Sequence, residues 1–546
     1  GVSGIGARSF YYPETAETNC NGCHMPAQPS GDFGARLLPG AEQPAIHNHL
    51  FLGANTGVTW LRQLDSAVAA HQAFLQECLR VDIFGIRAGG GIEGPLHAPL
   101  RPAVPALRPG QTYLLETVVR TLSVGHLFTQ GTADSNEVWL EVTVTSGDRV
   151  LGHSGGLDDT LEVDRWAHFL NSFVVDRHGF RINRRNAQDI FVALYDHQVP
   201  PGSGQTVHYR LHVPPDVTAP VKVALALKYR KFDQEYMEIV ARIHTQQQLP
   251  PLRNQQPDGA YRNELPVTVL ARDEIVFPVA GVAESVANLP RDIPAWQRWN
   301  DYGIGMLLKG KAELRQAAAA FAEVEQLDRF DGPLNLARVF YREGRLDEAV
   351  AALRRAAAHR DPPAPPWTLA WLSGLVNREQ GHLADAEKNL RSVLEDRTPE
   401  MIRRGFDFSR DYLVINELGL TLLIRAQQTL GARRAADRET LLQQAAAQFE
   451  KTLTLDAEDV TAHYNLALIY TQLGDADRAA EHRQLHLRYK GDDNARDQAI
   501  ALARQRYPAA NHAAEALVIY PLTAEDRAQA AAALGAGAPA QQERRP

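Results

Sequence analysis

The stretch Asn335-Leu-Ala-Arg-Val-Phe-Tyr-Arg-Glu-Gly-Arg-Leu-Asp-Glu-Ala349 decides the reading of the C-terminal half of this chain. Small Ala337 and aromatic Phe340 precede Gly344, and Ala349, Leu353 and Ala356 follow it. That is the spacing of two antiparallel helices joined by a tight turn: small residues let the helices approach, large ones fill the gap between them, and Pro362 closes the unit. Gly310 to Gly344 is 34 residues and Gly344 to Gly381 is 37, the period of a tetratricopeptide repeat. The frame recurs with Gly374, Ala386 and Leu390, and again with Ala467, Tyr470 and Ala479. Weaker copies centre on Gly303 and Gly419. The pattern predicts about five repeats within an all-α solenoid over residues 291–490. Residues 491–546 read as capping helices and a loose tail.

Upstream, the periodicity changes. Thr112-Tyr-Leu-Leu-Glu-Thr-Val-Val-Arg, Glu137-Val-Trp-Leu-Glu-Val-Thr-Val, Val207-His-Tyr-Arg-Leu-His-Val and Val221-Lys-Val-Ala-Leu-Ala-Leu-Lys-Tyr-Arg are β-branched or alternating, with Gly, Pro and Asp turns between them. They predict a central antiparallel β-sandwich over residues 105–290. Residues 1–104 are rich in Gly and Pro and hold one helical pattern near 61–80, in which Cys78 reads as a small core residue. The fold class expected is multidomain α+β: a loop-rich N-terminal segment, a β-sandwich and an α-solenoid.

The chain has 546 residues, 44% hydrophobic and 22% charged, as in ordinary globular domains. No run of eighteen apolar residues occurs, so no membrane span is expected. A net charge of -8 argues against a nucleic-acid partner. Gly89-Gly-Gly-Ile-Glu-Gly lacks the Lys-Ser/Thr of a phosphate loop and reads as a connector.

Within the first segment stands Cys20-Asn-Gly-Cys23-His24. Two thiols at this spacing add across the two vinyl groups of one porphyrin, and the adjacent histidine sits beneath the iron. A zinc half-site is the first alternative, but zinc needs further ligands and the only other cysteine is Cys78. A thioredoxin-like site needs a strand and helix around it, whereas these flanks read as loop. The expected cofactor is one covalent haem c, attached through Cys20 and Cys23 with His24 as proximal ligand. Haem c is attached outside the cytoplasm, so a periplasmic or extracellular location is expected, with an export signal removed.

The sixth ligand must come from elsewhere among 19 histidines. His49, in His47-Asn-His-Leu-Phe-Leu-Gly-Ala-Asn-Thr, stands first, then His126 in Val124-Gly-His-Leu-Phe, then His47. Met25 is too close to His24 to reach the opposite face, so bis-His coordination is the expectation. His168, His178 and His197 read as turn residues, with contact to a neighbouring chain's haem as the alternative.

Arg8-Ser-Phe-Tyr-Tyr-Pro-Glu, Asn19-Cys-Asn-Gly-Cys-His-Met-Pro, His49-Leu-Phe-Leu-Gly-Ala-Asn-Thr, Val81-Asp-Ile-Phe, Val124-Gly-His-Leu-Phe, Arg184-Arg-Asn-Ala and His208-Tyr-Arg-Leu occur in this order. Together with the repeats, this series resembles a bacterial family of multihaem c-type cytochromes ending in tetratricopeptide repeats. The resemblance implies distal-ligand roles for His49 and His126. It also implies several haem motifs, where this chain has one. Either an upstream multihaem region belongs to the protein, or the other haems sit on partner chains.

Three functions follow as expectations. The first is electron transfer within a larger multihaem assembly, the repeats docking a protein partner or a second copy of the chain. The second is a scaffold in which the haem is secondary. The third is a haem enzyme, which needs an open sixth position and acid–base groups. Asp158-Asp159, Asp176-Arg-His and Asp196-His are the groups available, and adjacent aspartates read as a solvated turn.

Overall fold

The computed structural model describes residues 5–38, 41–130, 135–283 and 286–534. The tail from Gly535 lies outside the described residues. The chain forms two compact units. Among the described residues, one comprises 5–16 with 317–492, the other 17–316 with 493–534.

The second unit holds the strands. A small ribbon pairs β1 (Ala27–Pro29) with β2 (Ala45–His47). Then come β3 (Leu79–Ala88), β4 (Leu96–His97), β5 (Thr112–Thr121), β6 (Glu137–Ser146) and β7 (Arg149–Ser154). These are followed by β8 (Ser172–Val175), β9 (Val192–Asp196), β10 (Gly204–His212), β11 (Val221–Arg230), β12 (Thr268–Phe277) and β13 (Ile519–Tyr520). One sheet has the order β13-β10-β5-β3-β4, the other β12-β11-β6-β7. Val81 and Ile83, Leu115 and Val119, Val207 and Leu211 from the first meet Val138, Leu140, Val142, Val223, Leu225 and Ile275 from the second in one buried core. Along β11 the alternation holds: Val221, Val223, Leu225 and Leu227 are buried while Lys222 is exposed. The β-region therefore starts at Leu79, not at 105. Leu79 and Arg80 pair with Thr121 and Arg120, and this pairing overrides the helical pattern expected at 61–80. That pattern yields two shorter helices instead, α2 (Thr56–Leu61) and α3 (Asp65–Phe74), preceded by α1 (Asn21–His24). Cys78 lies in the bend before β3, half-buried, its thiol on the Phe74 carbonyl at 3.4 Å. Gly89 and Gly90, both at positive φ, turn β3 back into β4.

α4 (Gln234–Gln246) follows β11, and its Met237 and Ala241 form a small core with Phe232, Tyr261 and Leu265, against which Trp60 and Leu61 of α2 pack. α5 (Ala295–Lys309), expected to open the repeat array, instead lies on β10 and β5. Arg298 is 2.7 Å from Asp82, and Asp301 accepts from Arg80 at 2.6 Å and Arg120 at 3.0 Å. A Cβ at Gly305 would come within 2.4 Å of the Thr206 backbone nitrogen, so glycine permits this approach. Covered outside by α5 and inside by the facing sheet, β5 is buried from Leu114 to Thr121.

α6 (Leu314–Gln326) leads into the repeats. The pairs are α7 (Asp331–Glu343) with α8 (Leu346–Ala358), and α9 (Pro366–Glu379) with α10 (Leu383–Glu395). After the short α11 (Pro399–Arg404) come α12 (Tyr412–Gln428) with α13 (Ala435–Leu455), then α14 (Val460–Leu473) with α15 (Ala476–Tyr489). Ala337, Ala349, Leu353, Ala386, Leu390, Tyr470 and Ala479 are buried, as their frame requires. Gly344 and Gly474 end α7 and α14 in the left-handed conformation at φ 74° and 79°.

Residues 493–534, expected to cap the repeats, belong instead to the second unit. α16 (Asp493–Arg506), α17 (Pro508–Ala513), β13 and α18 (Ala524–Ala533) belong to the β-unit. β13 pairs with β10, and Ala503 and Ala510 pack on Phe173, Val175 and Leu194 of the β8–β9 ribbon.

Candidate functional site

The motif Cys20 to His24 forms a single turn of helix. His24 N donates to the Cys20 carbonyl at 2.9 Å and Met25 N to that of Asn21 at 2.9 Å. One turn sets Cys20 and Cys23, three apart, on the same side, and both are free, exposed thiols. His24 is tied to Leu52 twice: Leu52 N donates to its carbonyl at 3.1 Å, and its own Nδ1–H donates to the Leu52 carbonyl. A carbonyl on Nδ1 fixes the tautomer and leaves Nε2 as the ligating nitrogen.

Phe51 stacks on the His24 ring at 5.1 Å and 11°, and Phe74 of α3 lies at 5.6 Å. Phe51 is 52% exposed and sits at φ 51°, a left-handed conformation that costs a non-glycine residue roughly 1–2 kcal/mol. His71, one turn before Phe74 and 1% exposed, places Nδ1 at 2.9 Å from the Gly53 carbonyl and 3.1 Å from its N–H. It pins the loop that presents the Leu52 carbonyl. Burial lowers its pKa, with the Gly53 contact opposing. The sequence reading missed His71 and Phe74, although both face one side of α3.

Of the sixth-ligand candidates, the structure brings His126 to His24. Their rings lie 6.2 Å apart between centroids and 9° from parallel. His126 follows β5 in an exposed loop, where its Nδ1 contacts the Leu127 carbonyl at 2.9 Å, and Phe128 pairs with Val199 just beyond. His49 is exposed. His47, on β2, holds its Nδ1 on the Met25 carbonyl at 2.6 Å.

These residues fit a haem. Two imidazoles sharing one metal at about 2.0–2.1 Å per nitrogen, the histidine–metal distance seen on zinc, place their centroids about 6 Å apart. Among the described residues no three His, Cys, Asp or Glu side chains group to hold a metal ion, and an iron porphyrin takes only axial ligands from the protein. Among described residues 17–55, Ala45 alone is buried, while Phe33, Leu37, Leu50 and Phe51 are exposed. A segment with so little core of its own is suited to packing on a large apolar group.

The remaining expected groups are structural. His168 is buried, 2.8 Å from the Tyr520 hydroxyl and 3.0 Å from Gln205 Oε1, with His197 stacked on it at 5.0 Å. His168 is thus a core residue of the β-unit, whereas His197 is half-buried in the loop after β9 with Nδ1 3.3 Å from the Phe169 carbonyl, and His178 is an exposed turn residue. Burial holds His197 down to about 4. Asp158, Asp176 and Asp196 accept from the backbone N–H groups of their own turns. A cleft of about 1500 Å³ lies beside the β8–β9 ribbon, α4 and α16–α18, and none of residues 17–127 lines it. In its wall burial pushes Asp233 up to about 7 while Arg181 opposes.

A tetratricopeptide-repeat family matches residues 334–365. Among solved structures the chain is similar to MamA from Desulfovibrio magneticus RS-1 (residue 41 to the end) at 15% identity and TM-score 0.27, over 36% of this chain and 94% of that one. MamA of AMB-1 is 20% identical with TM-score 0.26, over 35% and 90%. YrrB, a tetratricopeptide-repeat protein with an unusual peptide-binding site, is 18% identical with TM-score 0.27, over 37% and 90%. No curated protein matches the chain. The family match is to a tetratricopeptide repeat, and the multihaem resemblance has no counterpart among these matches. No helix among the described residues is long and apolar enough to cross a membrane.

Proposed function

We propose that this chain is an exported c-type cytochrome that relays electrons, with its repeats docking a partner that carries the next redox centre. The observation that carries the reading is the facing of His24 and His126 at 6.2 Å, one beside Cys20 and Cys23, the other from the β-unit. Haem, when bound, supplies one-electron chemistry. The chain's residues would bind and orient it: Cys20 and Cys23 would anchor it, the Leu52 carbonyl holds His24 in register, and His24 and His126 would hold it between them. The spacing and parallel rings favour His126 over His49. With both His24 and His126 holding the group, no position would be left open for substrate, which favours relay over catalysis. Export follows from the covalent attachment, which is made outside the cytoplasm. The stacked helix pairs supply an extended binding surface, so a scaffold role is part of the same reading.

Intact mass and the optical spectrum of the isolated protein test it. One covalent haem with a six-coordinate low-spin spectrum is expected, and a haem-free mass overturns the proposal. His126→Ala is expected to shift the spectrum to high spin while His49→Ala leaves it unchanged; the reverse reassigns the ligand. Cross-linking the native protein to co-purifying cytochromes tests the docking.

A further inference from the structure

Arg8-Ser-Phe-Tyr-Tyr-Pro-Glu14 has no part in the haem site. It lies in Ile5–Ala16, which belongs to the same compact unit as the repeats. This segment forms no strand or helix, and the repeats grip it along its length. Arg338 of α7 donates to the carbonyls of Arg8 at 2.9 Å and Ser9 at 3.2 Å, its guanidinium 4.7 Å above the Phe10 ring. Arg404, closing α11, donates to the carbonyls of Pro13 at 2.6 Å and Tyr12 at 3.4 Å, and Ala16 N returns a bond to the Arg404 carbonyl at 2.8 Å.

Side chains are read as well. The Tyr12 ring meets Trp367 edge-on at 5.3 Å and Phe406 at 5.8 Å, and its hydroxyl lies 2.7 Å from Thr368 Oγ1. Arg8 Nη1 sits 2.8 and 2.9 Å from the two Asp411 oxygens. The receiving residues stand on the first helices of successive pairs, α7 and α9, on α11, and at the start of α12. Tyr12 and Arg338 are half-buried with the segment in place, and burial raises the Tyr12 hydroxyl to about 12 and lowers Arg338 to about 10.

We propose that this face of the repeats is a binding site for extended peptides with a basic residue four positions before an aromatic–proline pair, occupied in cis by Ile5–Ala16. The proposal rests on the docking reading above and names the chemistry of the docked segment. Asp411 takes the cation. Trp367, Phe406 and Thr368 take the aromatic ring and its hydroxyl. Arg338 and Arg404 read main-chain carbonyls, which every sequence has, so the specificity lies in the two side-chain positions. A partner bearing such a segment must displace the tethered one, whose effective concentration is on the order of millimolar.

The test uses the full chain and a fluorescein-labelled synthetic peptide of residues 5–16, followed by anisotropy. Tyr12→Ala or, separately, Arg8→Glu in the protein loosens the cis segment, and far-UV circular dichroism confirms that each variant keeps its helices. The labelled peptide is expected to bind each release variant at least about tenfold more tightly than wild type, because the tethered competitor is weakened. Adding Arg404→Ala to a release variant is expected to cost at least about tenfold. Asp411 makes no capping bond to α12, so it can be changed without losing a helix cap. Asp411→Arg is expected to weaken the native peptide and restore binding of a peptide carrying Arg8→Glu. Absence of binding to every variant, or equal binding with and without the groove substitutions, overturns the proposal. The docking reading falls only if the native protein also fails to cross-link to a partner cytochrome.

Discussion

At the residue scale the strongest constraints are buried charges in the β-unit. His208 and Glu116 are both fully buried, 2.5 Å apart, with Glu313 at 3.1 Å on the other ring nitrogen and Arg87 at 2.6 Å from Glu116. Burial alone drives His208 down and Glu116 up; their mutual attraction outweighs it, so His208 is net raised and Glu116 net lowered. The raised histidine contributes stability that is full below about pH 6.5 and is lost as pH rises through its folded value. The lowered carboxyl contributes above about pH 4.3 and is lost as pH falls through its folded value. His208→Ala is expected to cost about 3–5 kcal/mol in urea unfolding at pH 6, and less at pH 9, where the wild-type pair is itself weakened. A cost independent of pH would mean that His208 has the same pKa folded and unfolded, and a cost that grows with pH would mean that it is held neutral in the fold. His197 works in the opposite sense: held down to about 4, it favours the fold above about pH 6.5 and loses that contribution as pH falls.

At the element scale, three glycines make a graded test, because each is required for a different reason. A Cβ at Gly344 meets nothing within 4 Å, so Gly344→Ala pays only for φ 74°, about 1–2 kcal/mol. At Gly419 in α12 a Cβ meets the Phe449 ring at 2.9 Å. Overpacking of about 1–3 kcal/mol there is set against about 1 kcal/mol of helix propensity gained, a small net loss. At Gly305 in α5 the neighbour is the Thr206 backbone, which cannot swing aside, so Gly305→Ala is expected to be the most damaging. Thermal unfolding of the three variants checks the order; Gly305→Ala at or above wild-type stability would show that α5 does not lie on β10.

For the whole molecule, the path of the chain departs from its order in sequence. Val518, Tyr520 and Leu522, from the C-terminal stretch, belong to the sandwich core, and β13 extends the sheet beside β10. Truncation after Asp492 is therefore expected to expose the β-unit to proteolysis within residues 79–280 while 331–489 stays protected. Cleavage confined to the repeats would contradict that placement. The proposed haem site is likewise non-local, since His24 and His126 come from a one-turn helix and from the loop after β5.

The sequence by itself determined the periodic elements and the Cys20-to-His24 motif. Ala337, Gly344, Ala349 and Leu353 dictate a helix pair through side-chain volume, Val221 to Leu227 dictate a strand through alternation, and Cys20, Cys23 and His24 are neighbours along the chain. All of these are short-range consequences of backbone geometry. Tertiary structure decided the rest. α5 reads as a repeat helix but joins the sheet, because Gly305 and the ion pairs of Arg298 and Asp301 fit it there. Leu79 and Arg80 read as helix but pair as strand. His126 lies beside His24, because proximity between distant segments is set by how the sheets and loops pack, and no local spacing records it.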